Sequence, residues 1–252
     1  MTADQERAFV LQMLQDNGGC QLPCWWGFTP GETSWKTAEV FFLSYGKRID
    51  EHVSRSTRRM YYSVDFAIPD HDVYIGQTYI VSGNVIDMIW VIARTSRNGE
   101  IVYGDATYAE DLHAYMVPQI LASYGKPEQV LIATYAVAPE PWIPFDMLLF
   151  YPDQGILARY YGPIENEERN VVPVEESIRM CPHRTEFVLW LWSPEDEVSL
   201  VDVAGTGLGI TPEGLYYHRP LEEATGMSID EFYEIFVQPG NQACLETPAD
   251  LW

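Results

Sequence analysis

Four cysteines, eight tryptophans and five histidines are the side chains of this protein most open to a chemical role. Cys20 and Cys24 stand in "GGCQLPCWWG", Cys181 in "RMCPHR" and Cys244 in "QACLETP". An even count without a second close pair fits two disulfides better than a zinc site, which would need two C-x-x-C knuckles or histidines at ligand spacing. Four cysteines allow three connectivities. The expected one pairs Cys20 with Cys24, locking a tight turn around Pro23, and Cys181 with Cys244, tying the tail to the body.

A thiol nucleophile is the competing use of Cys24. It would need a base, for which His183 lies downstream, and the start of a long helix to stabilise the thiolate. Pro30-Gly31 breaks the chain shortly after Cys24, and Cys20 is a ready partner, so the structural disulfide is the reading taken. "GTGLG" at 205–209 is followed by "ITPEGLYYHRP", which offers no helix N-terminus to a dinucleotide and reads as a glycine turn. "PDHDVY", with Asp70, His71 and Asp72, and "SPEDE", with Glu195, Asp196 and Glu197, are oxygen-rich but lack EF-hand spacing and read as solvated hairpin tips. His52, His71, His113, His183 and His218 form no H-E-x-x-H pair, and neither a G-x-S-x-G elbow nor a P-loop occurs. Glu222-Glu223 or Glu175-Glu176 could serve a glycosidase, whose carboxylates stand about 5 to 10 Å apart, a distance the sequence does not give. No catalytic residue, metal ligand or cofactor follows from these patterns.

The tryptophans are the remaining signal: Trp25, Trp26, Trp35, Trp90, Trp142, Trp190, Trp192 and Trp252. Trp190 and Trp192 alternate with Leu189 and Leu191, so one pair faces the core and the other the second side of a sheet. Burial is the common fate of such residues. On an open sheet face they would suit a peptide, a glycan or a partner protein. Trp25, Trp26, Trp190 and Trp192 are therefore the candidate binding residues.

Composition narrows the partners. The chain has 252 residues, 47% of them apolar, and a net charge of −22. That field repels nucleic acid and opposes docking on anionic membranes. No apolar run approaches the roughly 20 residues of a spanning helix, so no transmembrane segment is expected. The first residues show no export signal, which fits a cytoplasmic protein or an exported one lacking its leader. Paired cysteines, acidity, few lysines and abundant tyrosine and tryptophan favour the second.

The secondary structure that would carry these residues can be read in order. Residues 3–16 form an expected helix with Phe9, Val10, Met13 and Leu14 on one side and Asn17-Gly18-Gly19 as its stop. Thr33 or Ser34 caps a second helix that buries Trp35, Ala38, Phe41, Phe42 and Tyr45 and ends at Gly46. Strands are expected at 60–68, 73–81 and 85–93, the last two joined by Ser82-Gly83-Asn84. The order then repeats: a helix over 108–124, kinked or split by Pro118 and stopped by Gly125, then strands at 129–137, 147–151 and 156–161. "SYGK" occurs at both helix ends, at 44–47 and 123–126. The match at equivalent points suggests one unit used twice. Beyond it, 166–176 reads as an acidic loop, 186–192 and 198–203 as strands, and Ser228 with Glu231 as a capping box opening a helix over 229–236, stapled by Met227 and Phe232.

"NGGCQLPCWWGFTPGETSW" resembles the opening of uncharacterised bacterial secreted proteins and lipoproteins that share a GC-x-L-PCWWG-x-TPG stretch. More distantly, Gly27, Thr29 and the helix ending in Tyr45-Gly46-Lys47 resemble the helix–turn unit of the SmpA/OmlA outer-membrane-assembly lipoproteins and of beta-lactamase inhibitor protein. Gly104, Thr107 and "YGKPEQV" resemble it again, with Pro127 where those families carry the proline of L-G-x-P; the first copy has Arg48 instead. The resemblance covers about the first two thirds of the chain. It implies tandem helix-plus-antiparallel-sheet modules and interaction rather than catalysis.

The expected fold is α+β: two tandem helix-plus-antiparallel-sheet repeats, 1–103 and 104–165, with a C-terminal β/α extension, 166–252, packed on them. The expected function is an extracytoplasmic binding module with no catalytic activity. Its partner would be a protein, peptide or glycan at the cell exterior, met by an aromatic sheet face or the PCWWG loop. The competing expectation is an extracytoplasmic hydrolase, glycan-directed, using a carboxylate pair.

Overall fold

A computed structural model describes residues 2–54, 59–68, 72–97, 100–102, 106–134, 144–163, 177–204 and 215–252. Helix α1 (Ala3–Asp16) opens on a capping box, Thr2 accepting from the Gln5 amide while the Gln5 side chain accepts from Thr2. Helix α2 (Trp35–Ser44) is capped by Ser34, which accepts from the Thr37 amide at 3.2 Å. It ends in a Schellman motif: Lys47 N–H donates to the Phe42 carbonyl and Gly46 N–H to that of Leu43. The expected helix over 108–124 is split into α3 (Ala106–Asp111) and α4 (Val117–Tyr124). Pro118 sits in the first turn of α4, where its missing N–H costs nothing. Gly125 closes α4 through a single bond to the Leu121 carbonyl, 2.9 Å. Gly46 and Gly125 hold φ of 70° and 76°, the region where a side chain is strained.

The strands are β1 (Asp50–Val53), β2 (Met60–Ile68), β3 (Val73–Ser82), β4 (Val85–Arg97), β5 (Glu100–Ile101), β6 (Gln129–Thr134), β7 (Pro144–Tyr151), β8 (Ile156–Pro163), β9 (Ser177–Met180), β10 (Glu186–Trp192), β11 (Arg219–Pro220) and β12 (Leu245–Pro248). One ten-stranded antiparallel sheet runs β1-β2-β3-β4-β10-β8-β7-β6-β11, with β5 added to β4. The meanders β2-β3-β4 and β6-β7-β8 thus lie in one sheet and meet across β10. The Gly83-Asn84 hairpin has positive φ at both residues, the two-residue turn whose twist matches its strands. A helix-plus-antiparallel-sheet architecture of the α+β class is therefore present.

Strand β10 lies within 166–252, the stretch expected to pack on the rest as an extension, yet it pairs with β4 and β8 at the sheet's centre. All seven of its residues are buried, as befits a strand covered on both faces. Phe187, Leu189 and Leu191 join the main core under the helices, with Phe42, Ile75, Ile120, Tyr160 and Phe232. Val188, Trp190 and Trp192 join a second core on the other face, with Ile80, Met88, Leu148, Phe150 and Val203.

Val203 shows what covers that face. The strand expected at 198–203 is instead helix α5 (Leu200–Ala204). Ser199 and Asp202 exchange bonds as a capping box, Asp202 Oδ2 accepting from the Ser199 amide at 3.0 Å and Ser199 Oγ from the Asp202 amide at 3.3 Å. That local signal overrides the β-branched run. The tail follows as α6 (Leu221–Thr225) and α7 (Ile229–Phe236), the latter opening on the expected Ser228–Glu231 capping box. Strands β9 and β12 pair apart from the main sheet, stapled at one end by Cys181–Cys244. Cys20 pairs with Cys24, leaving no free cysteine. Two disulfides suit an oxidising environment, and among the described residues no helix is long and apolar enough to cross a membrane.

Candidate functional site

The disulfide loop is built around Asn17. This residue ends α1 with φ 51° and is itself buried. Its Nδ2 donates to the carbonyls of Cys20 (3.2 Å) and Cys24 (2.8 Å), and its Oδ1 accepts from the Trp26 amide (2.8 Å). One amide side chain therefore holds three points of the loop. Gly18 passes so near the Trp26–Gly27 peptide that a Cβ there would lie 2.6 Å from Gly27 N. Folding the loop this tightly turns both tryptophans inward. Trp25 stacks on Trp26 at 5.8 Å and lies 5.0 Å from Tyr115; Trp26 meets Phe66 edge-on at 4.7 Å.

The four tryptophans expected to make contacts are thus core residues, with 0% (Trp25), 2% (Trp26), 1% (Trp190) and 1% (Trp192) exposure. Trp25 and Trp26 pack with Phe9 of α1, Phe66 of β2 and Tyr115 just before α4, and the second face that Trp190 and Trp192 occupy is covered by 198–203 and Leu215. The correction has a plain cause: a face with rings this large is stable only when another layer excludes water from it.

What the loop presents instead is a cavity of about 140 Å³ between the end of α1, residues 20–22 and α4. Its walls include Asp16, Gln21, Tyr115, Gln119, Ser123 and Tyr124. The Tyr124 hydroxyl accepts the Leu22 amide at 3.0 Å, fixing the loop to α4. Gln119 donates to Ser123 Oγ at 3.2 Å. The Tyr115 hydroxyl is buried and has no hydrogen-bond partner. Burial, then the phenol of Tyr124 and the charge of Asp16, hold it protonated far above the usual tyrosine range.

A row of polar side chains crosses the covered face of the sheet: Tyr74, Arg94, Glu186, Tyr161 and Asp146, with Arg159 two residues from Tyr161 along β8. Arg159 holds Asp146 by two bonds of 2.8 Å, the fork geometry of a strong pair. Glu186 accepts from the Thr95 amide at 2.6 Å and the Tyr161 hydroxyl at 2.9 Å. Burial pushes its pKa up to about 7; the two hydrogen bonds and Arg94 act the other way. Tyr74 donates to Asp65 at 2.7 Å, and burial with that carboxylate raises it to about 12. Asp146 and Glu186 flank β8 from either side, which sets their backbones roughly 10 Å apart at ~4.8 Å per strand.

Glu222 and Glu223 lie exposed on α6, Glu223 paired with Arg219. Glu195, Asp196 and Glu197 are exposed in a turn, solvated as expected, but no hairpin forms there because the chain goes on into α5. His113 and His183 share the wall of an apolar hollow of about 160 Å³ beside α4. No group of three metal-ligating side chains occurs among the described residues. Trp142, Asp70, His71, Gly104, Glu175-Glu176 and the "GTGLG" stretch lie outside them. The residues missed are Asp16, Tyr115 and Tyr124 around the cavity and Asp146, Arg159, Tyr161 and Glu186 on the sheet. Only the strand alternation of "FDMLLFY", "ILARYYGP" and "EFVLWLW" could have found the latter, by placing each charged residue on one face with its apolar neighbours. No protein-family model matches the chain, and neither a curated protein nor a solved structure does.

Proposed function

We propose that this protein is an extracytoplasmic binding module without catalytic activity, whose contact site is the disulfide loop and the cavity it makes with α4. The cavity carries the reading: hydroxyls, amides and one carboxylate line an open recess beside a loop held by a covalent bridge and by Asn17. A rigid, hydrogen-bonding recess of this kind lowers the ordering cost of binding. Export to the cell exterior is supported by both disulfides, and a protein, peptide or glycan partner by the polarity of the walls.

The same proposal takes the sheet as two tandem units, 1–103 and 104–165, completed by β10 from 166–252. Support comes from the two helix-ending glycines and from the lysines after them. Lys47 pairs with Glu6 and lies over the Phe66 ring; Lys126 pairs with Asp230 at 2.7 Å and lies over that of Tyr233.

One observation favours a hydrolase as the second reading: Glu186, with its pKa near 7, shares a face with the carboxylate of Asp146. Peptide and glycan panels followed by NMR separate the two. The binding reading expects shifts centred on Gln21, Leu22 and Ser123 with the ligand recovered intact. Shifts centred on Glu186 and Asp146 with cleaved product, abolished by Glu186→Gln, would replace it with the hydrolase.

A further inference from the structure

We propose that the cavity under the disulfide loop receives one primary ammonium group on an aliphatic stem, as carried by a lysine side chain or an aliphatic diamine. The inference deepens the binding reading above and rests on it.

Charge selects the sign of the ligand. Asp16 lines the cavity, and its carboxylate accepts only from neutral donors, the Gly18 amide at 2.9 Å and Gln12 Nε2 at 3.4 Å. It has no cationic partner among the described residues. The net charge of −22 draws cations toward the surface and repels anions. Tyr115 lines the same cavity; its hydroxyl is buried and without a partner, in a fold that otherwise satisfies most of its buried hydroxyls, and it feels the charge of Asp16. The Tyr124 hydroxyl supplies another oxygen on the same wall.

Asp16, Tyr115 and Tyr124 thus give an anionic oxygen and two phenolic oxygens. An ammonium offers three N–H donors and no acceptor, which matches such a set. A quaternary ammonium, which donates nothing, would leave the Tyr115 oxygen unsatisfied. Size selects the rest. The recess is open to solvent, with Asp16, Gln21 and Ser123 exposed at its rim, and its volume is about 140 Å³. It takes one side chain, and the rings of Tyr115 and Tyr124 and the side chain of Leu22 provide apolar wall for a methylene stem.

The test titrates the oxidised full chain with n-butylammonium, 1-butanol, butanoate and tetramethylammonium, following the amides of Gln21, Leu22 and Ser123 by NMR. Butylammonium is expected to bind saturably at those amides, with 1-butanol and tetramethylammonium about tenfold weaker or worse and butanoate silent. Asp16→Asn keeps an acceptor for the Gly18 amide and should weaken butylammonium about tenfold; Tyr115→Phe should weaken it about threefold. A lysine-containing peptide against 1,5-diaminopentane then identifies the source by the tighter binder.

Equal binding of 1-butanol at these amides, or an Asp16→Asn variant that binds unchanged, overturns the ammonium proposal while leaving the cavity a binding site. A protein with a native spectrum in which neither these probes nor the peptide and glycan panels perturb the loop overturns both.

Discussion

On the helix side of the sheet, Phe187, Leu189 and Leu191 of β10 meet a layer made of α1, α2, α4 and α7 in which the buried ionisable groups are tyrosines, Tyr79, Tyr108, Tyr115 and Tyr160 among them. On the other side, alternate residues of the same strand divide into two zones. Val188, Trp190 and Trp192 pack with Met88, Phe150 and Leu157, whereas Glu186 at the strand's start lies in the row with Arg94, Tyr161 and Asp146. The titratable groups of the first face are tyrosines that burial holds above their ordinary range, so its stability should vary little over the acid and neutral range. The second combines burial with charge and should respond to protons. One strand, read every second residue, belongs to two different kinds of interior.

The most demanding test of this contrast is Trp190→Ala. If the covered face is a true core, the variant loses about 3–5 kcal/mol in urea unfolding, on the scale of Leu189→Ala at about 2–5 kcal/mol on the helix side. A loss below about 1 kcal/mol would mean that the second layer is not a packed one.

The next effect is ionic. Arg159→Met strands the Asp146 carboxylate in the interior, with Asp146 only 4% exposed in its side chain, and should cost about 3 kcal/mol. Adding Asp146→Leu should recover most of the loss. A double variant as unstable as the single one would refute the pairing as the cause.

Glu186 separates the two faces by pH. Its folded pKa, about 7, lies above an unfolded value near 4.5, so the folded state binds the extra proton between them. Its contribution is complete below pH 4.5 and is lost as pH rises toward 7. At 1.36 kcal/mol per unit this loss amounts to roughly 3 kcal/mol. Wild type minus Glu186→Gln, measured by urea unfolding from pH 4 to 8, should show that fall. A flat difference would remove the titrating carboxyl from the second face.

The smallest effect compares the two halves of the sheet. A Cβ added at Gly46 or Gly125 would have no heavy atom within 4 Å, so alanine meets only a backbone penalty: about 1 kcal/mol at Gly46, and about 1–3 kcal/mol at Gly125, whose ψ of −152° lies outside the left-handed helical region. Thermal unfolding in which Gly125→Ala loses less than Gly46→Ala would contradict these two turn geometries.

Much of this architecture follows from local rules. The limits of α1 and α7, the cap at Ser228, the Gly83-Asn84 hairpin and the helix-stopping Gly46 and Gly125 depend on residues a few positions apart and were legible from the chain, while the cap at Ser34 was legible as one of two neighbours with Thr33. The disulfide partners were legible as one choice among three, because a four-residue spacing favours a closed turn. Even the departure at α5 had a local sign, Ser199 with Asp202, beside a β-branched run that pointed the other way.

The long-range features were not legible. Alternation in β10 declares two faces but not that both are covered, so Trp190 and Trp192 could be placed on a face and not assigned to a core. Pairing Glu186 with Tyr161, or the Leu22 amide with Tyr124, joins residues of separate elements. Residue order alone sets where most helices and strands begin and end, because those choices are made by backbone hydrogen bonds and side-chain period within a few residues. That β10 lies between the two meanders, that the tryptophans are interior, and that one carboxylate and two phenols share a cavity arise only when the elements pack. Burial and cavities are set by which surfaces meet, and in this chain the surfaces that meet come from distant residues.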